Sequence, residues 1–216
     1  MTTLMNMPKR LTLLLSLLAL TGCASLSVLG GGKKAVDESI YTLRSPGLER
    51  AAPAVAAKGR PVIAVPKPEL PPGLETERIA LYFQQGHRLD YYADAKWSAP
   101  LDALLQDLVI QKALQKLPGK VVGTPDLASS AQYKLALKFT DVAPVYENAP
   151  DKPPRLDVGM TVTVVSLPRE TIRTQFTLKR SVPASANTLT TITSELGSLL
   201  QSLTDDALQR AAPYLG

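Results

Sequence analysis

The sequence predicts a single α/β domain, with helices packed on a mixed, largely antiparallel sheet of five or six strands. Two patterns and the chain length support this prediction. Segments that alternate apolar and polar residues with the period of a strand occur at residues 78–84, 133–142, 157–165 and 171–180. Two longer stretches, from residue 101 to the Pro118-Gly119 pair and over residues 188–211, repeat apolar residues with the period of a helix. A chain of 216 residues provides one domain with a substantial core, or one domain plus tails.

The N-terminal residues predict a processing signal. Lys9-Arg10 precedes an apolar run at residues 11–20, and Leu20-Thr21-Gly22-Cys23 follows at once. Ten helical residues rise about 15 Å, half of a hydrocarbon core, which suits a signal peptide better than a membrane span. Small residues before the only cysteine resemble the bacterial lipobox. We therefore expect residues 1–22 to be a signal peptide and Cys23 to carry diacylglycerol and an N-acyl chain; the alternative is a buried helix with a core cysteine.

This processing limits the classes of function that the composition allows. The formal charge of +5 includes Lys9 and Arg10, which leave with the signal, so basicity does not argue for a nucleic-acid partner. One Cys and one His exclude an internal disulfide, a Cys-rich zinc site and a His-rich metal centre. A multiply acylated cysteine anchors a chain durably in a membrane. Ala24 instead of Asp after the cysteine favours the outer membrane, by resemblance to enterobacterial sorting.

The first half of the chain after Cys23 predicts a tether and then short strands. Residues 23–37 form the lipidated cysteine and a flexible tether with three consecutive glycines, and residues 38–216 form the domain. Strands are predicted at residues 40–43 and 61–65, an Ala/Pro-rich insertion at 48–59, and a proline-rich segment that cannot be helical at 66–73. Residues 78–84 and 88–92 are expected to form a hairpin across Gln85-Gly86-His87.

Two helices and three further strands follow. We expect Trp97 to be a core anchor and Ser98 the N-cap of the first helix, and Asn187 to be the N-cap of the last. Residues 144–154 are predicted to be a polar connection, and residues 167–170 a turn between two strands. The inward-facing strand residues are expected to be Leu135, Leu137, Phe139, Val162, Val164, Ile172, Phe176 and Leu178. The last helix has one Arg and three acids on its polar face, which favours packing on the sheet over lying on a membrane.

The residue types that perform catalysis do not form a recognisable pattern. His87 is the only imidazole and lies in a predicted exposed turn, and neither a G-x-S-x-G nor a C-x-x-C motif occurs. Asp90 and Asp94 flank two tyrosines, without further support for a metal site. The sequence therefore predicts a protein that is not an enzyme and has no cofactor besides the acyl chains on Cys23.

A series of residues in order along the chain resembles the ABC-type transport auxiliary lipoproteins, the PqiC-like group. The series comprises Cys23, Tyr41-Thr42-Leu43, the run Val62-Ile63-Ala64-Val65-Pro66, Leu70-Pro71, Leu74, Arg78-Ile79, Tyr92, Trp97 and Pro100-Leu101. The resemblance covers about residues 40–212; the insertion at 48–59 and the connection at 142–154 depart from the family pattern.

The resemblance implies a fold similar to the N-terminal domain of TolB and a non-catalytic role. The protein would work beside an MCE-domain periplasmic protein, an inner-membrane permease and an ATPase, in a system that moves lipids or other hydrophobic molecules across the envelope. It would be anchored in the outer membrane and face the periplasm. The alternative function is an outer-membrane lipoprotein that scaffolds or activates a cell-wall enzyme. Association of the protein with further copies of itself, as a homo-oligomer, is a further alternative.

The proline-rich segment is the predicted contact region for a protein partner. Prolines stiffen an extended segment and lower the entropic cost of binding. We expect Pro66, Leu70, Pro71 and Leu74 to contribute to this contact. The alternative is that the prolines route the chain between two strands.

Overall fold

A computed structural model describes residues 38–43, 59–83, 87–126, 130–147 and 150–216. The predicted signal peptide, Cys23, the tether and all but the last residue of the predicted insertion lie outside these residues. The elements in order are β1 Ser39–Tyr41, β2 Val62–Ala64, β3 Arg78–Phe83, β4 Arg88–Trp97, α1 Leu101–Lys116, β5 Val121–Gly123, β6 Tyr133–Tyr146, β7 Arg155–Ser166, β8 Thr171–Pro183, α2 Leu189–Ala211 and a 3₁₀ turn Ala212–Tyr214.

The eight strands form one mixed sheet around the long strand β6. One edge of β6 pairs antiparallel with β7, which pairs antiparallel with β8. The other edge of β6 pairs in parallel with β2 near its start and with β3 near its end. β3 and β4 form the predicted antiparallel pair, while β1 and β5 lie parallel to β4 and β2. The α/β class is confirmed, with more strands than the five or six expected.

The two helices close the core against one face of the sheet. α1 packs on α2, and α2 packs on β6, β7 and β8. The stripe of α2 is buried as predicted, at Ile192, Leu196, Leu199, Leu200, Leu203, Ala207 and Leu208. Neither helix in the described ranges has the length and hydropathy of a membrane span.

Both predicted N-caps are wrong by one or two residues. α1 has Pro100 at its N-cap, without a side-chain bond. Ser98 lies in a bend two residues earlier, where its backbone N–H donates to the carbonyl of Tyr41. α2 has Thr188 at its N-cap, whose hydroxyl accepts from the N–H of Thr191. Asn187 instead uses its side chain in a tertiary contact with Tyr146.

A bulge explains why β6 is longer than the predicted strand. Thr140 is an extra residue between the pairs Phe139–Met160 and Asp141–Gly159. After this residue the alternation changes phase, so that Val142 and Pro144 continue the core-facing row opposite Val158 and Leu156. Consequently the predicted polar connection is wrong from residue 144 to Tyr146, because these residues belong to the strand and are buried.

A second bulge overturns the expected orientation of Ile172. Arg173 is the extra residue between the pairs Val164–Thr174 and Val165–Ile172. Ile172 therefore lies on the same face as Val165, away from the core, and is 60% exposed. Phe176 and Leu178 lie beyond the bulge, opposite the buried Val162 and Met160, and face the core as predicted.

Candidate functional site

The proline-rich segment is held against the edge of β6, in the gap between β2 and β3. Glu69 donates its N–H to Leu137 at 3.0 Å and accepts from the N–H of Phe139 at 2.8 Å. The chain then turns through Gly73, which has a positive φ of 86°, and the N–H of Leu74 donates to the carbonyl of Pro71 at 3.1 Å. A proline followed by a left-handed glycine is typical of a type II turn. The segment therefore connects two strands along the sheet edge.

The four residues of the predicted contact surface differ in burial. Leu74 is 1% exposed and Leu70 packs against the core, so the folded domain does not present Leu74 to a partner. Pro66 and Pro71 are half-buried. The routing role of the prolines, which the sequence left as an alternative, agrees with these contacts.

Most residues of the family pattern belong to the core. Leu43, Ile79, Trp97 and Leu101 are all at most 4% exposed, and Tyr41 packs against them. Trp97 is the last residue of β4, four residues before the start of α1, and its backbone N–H donates to the carbonyl of Glu77 at 2.7 Å. These residues fix the junction where β1, β4 and α1 meet.

Arg78 and Tyr92 are the two pattern residues that line a groove. At this point four residues of β4, 92–95, stand opposite the single residue Ile79 of β3 and form a large bulge. Asp94 in this bulge is in the left-handed region, with a φ of 54°. The groove has a volume of about 590 Å³ and is also lined by Glu38, Glu77 and Lys96. Its charges are partly paired, since Lys96 contacts Glu38 at 2.7 Å. The Arg78 guanidinium lies 3.7 Å from the centre of the Tyr91 ring.

A chain of hydrogen bonds runs from this bulge to the loop before α2. The hydroxyls of Tyr92 and Tyr146 are 3.0 Å apart, and Tyr146 donates to Asn187 Oδ1 at 2.6 Å. The Asn187 amide donates to the carbonyl of Pro150 at 2.9 Å. Burial, and next the hydrogen bond with Tyr146, raise the pKa of Tyr92, which keeps its hydroxyl neutral. Sequence reasoning missed Tyr146, which lies in the predicted polar connection, and assigned Asn187 a different role as an N-cap.

Several polar groups on the outer face of the sheet, away from the core, are paired with one another. The hydroxyls of Thr161 and Thr177 are 3.1 Å apart, and Gln175 donates to Thr163 at 3.0 Å. Two ion pairs, Lys134 with Glu170 and Lys179 with Asp141, span the same face. Hydrogen bonds and ion pairs of this kind give a solvated surface with well-defined side chains.

The residues considered for catalysis or metal binding remain separate. His87 is exposed next to the start of β4. Within the described ranges, no group of three or more His, Cys, Asp or Glu side chains is arranged to hold a metal ion. Asp205 forms an ion pair with Lys112 at 3.1 Å, and Asp206 forms one with Arg180 at 2.7 Å.

The sequence of the folded domain matches one protein family. The family model of the ABC-type transport auxiliary lipoprotein component matches residues 41–207, which extend from the end of β1 into α2. The chain belongs to this family. This is the family that the residues from Tyr41 to Leu101 predicted.

Solved structures show the same fold as this auxiliary lipoprotein at low sequence identity. A protein from Xanthomonas campestris is 18% identical, with a TM-score of 0.62 over 81% of this chain and 95% of its own. An uncharacterised protein is 13% identical, with a TM-score of 0.63 over 80% of this chain and 97% of its own. Among curated proteins, none is significantly similar in sequence.

Proposed function

We propose that this protein is an outer-membrane-anchored lipoprotein that faces the periplasm and acts as a non-catalytic auxiliary component of an MCE-type ABC transport system. The system would move lipids or other hydrophobic molecules across the cell envelope. The observation that carries the proposal is the family match over residues 41–207, which spans the domain from β1 to α2. The protein works by contact with an MCE-domain partner and needs no cofactor besides the acyl chains on Cys23.

The length of the tether determines where the domain can work. Residues 24–37 separate Cys23 from the first described residue, Glu38. Fourteen residues span at most about 50 Å. The folded domain is therefore kept close to the membrane that holds the acyl chains, where it meets the end of a conduit that arrives from the inner membrane.

Metabolic labelling tests the anchor. A clickable palmitate analogue should label the wild-type protein and should not label Cys23→Ala, since that variant lacks the thiol that accepts diacylglycerol. Ser25→Ala, two residues away, is the matched control and should be labelled like wild type. Fractionation should place the labelled protein in the outer membrane. Equal labelling of Cys23→Ala would contradict the proposal.

Crosslinking in intact membranes tests the partner. The lipidated wild-type protein should capture an MCE-domain protein together with its permease and ATPase, identified by mass spectrometry. Cys23→Ala should capture much less, because the domain is no longer held at the membrane. Capture of a cell-wall synthase in place of the MCE-domain protein would instead support the alternative function.

A further inference from the structure

The edge of the sheet formed by β8 is long and open. In the described part of the chain, β8 pairs only with β7, and its residues make no other backbone hydrogen bond. Residues 174–182 form a regular stretch without Pro or Gly, bounded by the bulge at Arg173 and by Pro183. Proteins usually shorten, bend or block such edges, because a row of unpaired N–H and C=O groups recruits another strand.

The core layer is only partly covered along this edge, where α2 packs on β8 and the Arg210 guanidinium lies 4.6 Å from the centre of the Phe176 ring. In β7 the core-facing residues Leu156, Val158, Met160, Val162 and Val164 are fully buried. Of their partners on β8, Phe176, Leu178 and Val182 pack on the core but are only half-buried, while Thr174 and Arg180 are the polar members of the row. One further strand beside β8 would bury the remaining apolar surface of this row, and apolar burial stabilises by about 25 cal/mol per Å².

A cavity lies at the C-terminal end of the same strand. It has a volume of about 420 Å³ and is lined by Val182 and Pro183 together with Tyr146, Pro154 and Lys152. This volume is in the range that accepts one or two side chains or a small ligand. A segment that pairs with β8 and continues past Val182 reaches this cavity, which offers a specificity pocket next to a backbone template.

The charge of β8 favours one occupant over another. β8 carries Arg173, Lys179 and Arg180 and has no acidic residue. Lys179 and Arg180 contact Asp141 and Asp206, whereas Arg173 forms no ion pair with any described residue. A second copy of β8 would bring a second Arg173 and no acidic side chain to the seam, and like charges opposite each other on paired strands are destabilising. An acidic strand meets the opposite charge.

We propose that the free edge of β8 binds, by strand addition, an extended acidic segment of a partner polypeptide with an apolar residue at every second position. Backbone hydrogen bonds along residues 174–182 hold the segment, and its apolar row covers Phe176, Leu178 and Val182. The inference rests on the proposed function only for the existence of a protein partner.

Selection of ten-residue peptides displayed on phage, with the full-length lipidated protein in detergent micelles as bait, tests the proposal. The enriched peptides should carry acidic residues and an apolar residue at every second position. Their affinity is then measured against Thr174→Pro and Gln175→Pro. Successive N–H groups of a strand point to opposite edges, so one of these prolines removes an edge-facing donor and the other removes a donor to β7.

The variant that lacks the edge-facing donor should keep its thermal midpoint and bind the peptide about ten-fold more weakly, as expected for one lost hydrogen bond. Arg173→Glu should weaken binding about five-fold or more, and Arg169→Glu in the adjacent turn is the matched control. If both proline variants fail to fold, the comparison of Arg173→Glu with Arg169→Glu tests the proposal.

Several outcomes would overturn the inference: no enriched peptide, enriched peptides without alternation, unchanged affinity of Arg173→Glu, or concentration-dependent pairing of the protein with itself through β8. The proposed function is judged separately. Capture of the MCE-domain protein by wild type and Arg173→Glu alike would leave that function intact and show that β8 does not make this contact. Peptide binding at β8 without capture of an MCE-domain protein would support the role of β8 and contradict the proposed function.

Discussion

Asp157 is a buried acidic residue near the start of β7 that bonds to side chains of β7 and β8. Its carboxylate, in a residue only 8% exposed, accepts from Arg155 Nε and a second guanidinium nitrogen at 2.9 Å each. The Ser181 hydroxyl on β8 donates to the same carboxylate. Burial by itself would raise the pKa of Asp157, but the hydrogen bonds from Arg155 and Ser181 outweigh it and hold the pKa below its ordinary value of 3.8.

This lowered pKa predicts a specific loss of stability in acid. A carboxylate whose pKa is lowered by folding stabilises the native state above its unfolded pKa, and that contribution is lost as the pH falls below about 4. The thermal midpoint of the wild-type protein should therefore fall between pH 4 and pH 2 more steeply than that of Asp157→Asn. Asp126→Asn, an exposed residue in a loop, is the control and should follow the wild type. Parallel curves for Asp157→Asn and wild type would show that Asp157 does not carry this dependence.

Gly159 shows how a single residue permits a bulge. A Cβ atom at this position would come within 2.5 Å of Thr140 Oγ1 and 3.0 Å of Asp141 Oδ2 on the bulged strand. Glycine inside a strand often marks such a close approach, and this was the signal in the sequence that would have revealed the bulge. Alternation alone does not show it, because Thr140 occurs in a run that reads as regular up to Phe139.

At the scale of elements, the sequence was informative where strands are long or helices have one apolar face. The hairpin of β3 and β4, the pair β7 and β8, and both helices were predicted, because each has a period that only one secondary structure matches. The three-residue strand β5 was missed, since Val121–Gly123 is too short to show a period and is defined only by its pairing with β2. The network of Tyr92, Tyr146 and Asn187 was missed for a related reason: it joins three elements that are distant in sequence.

The proline-rich connector gives an element-scale prediction. Leu74→Ser removes a fully buried side chain and buries a hydroxyl, so it should lower the free energy of unfolding by about 3–5 kcal/mol, measured by urea denaturation. Pro72→Ala, at an exposed position of the same turn, is the control and should cost less than about 1 kcal/mol. A stable Leu74→Ser variant that loses only a partner would restore the contact role first assigned to this leucine.

Among the described residues, the core extends from Leu43 to Leu215. Both ends of this span are buried: Leu43 is 4% exposed and Leu215 is fully buried, and the Lys120 ammonium donates to the carbonyl of Leu215 at 3.1 Å. The large core cluster joins both helices to the sheet. The residues that would anchor the protein thus precede the residues that fold it, and the two properties are separable by truncation.

Removal of residues 1–37 should leave the domain folded. We expect its thermal midpoint to lie within about 2 °C of that of full-length Cys23→Ala, because every residue of the core cluster is retained. Removal of residues 1–43 also deletes β1 and the core residue Leu43, and it should lower the midpoint by at least about 5 °C. Circular dichroism melts of the three purified proteins distinguish these results. An equal loss in both truncations would mean that the N-terminal residues contribute to the fold, and the domain could then not act as an independent body on a flexible anchor.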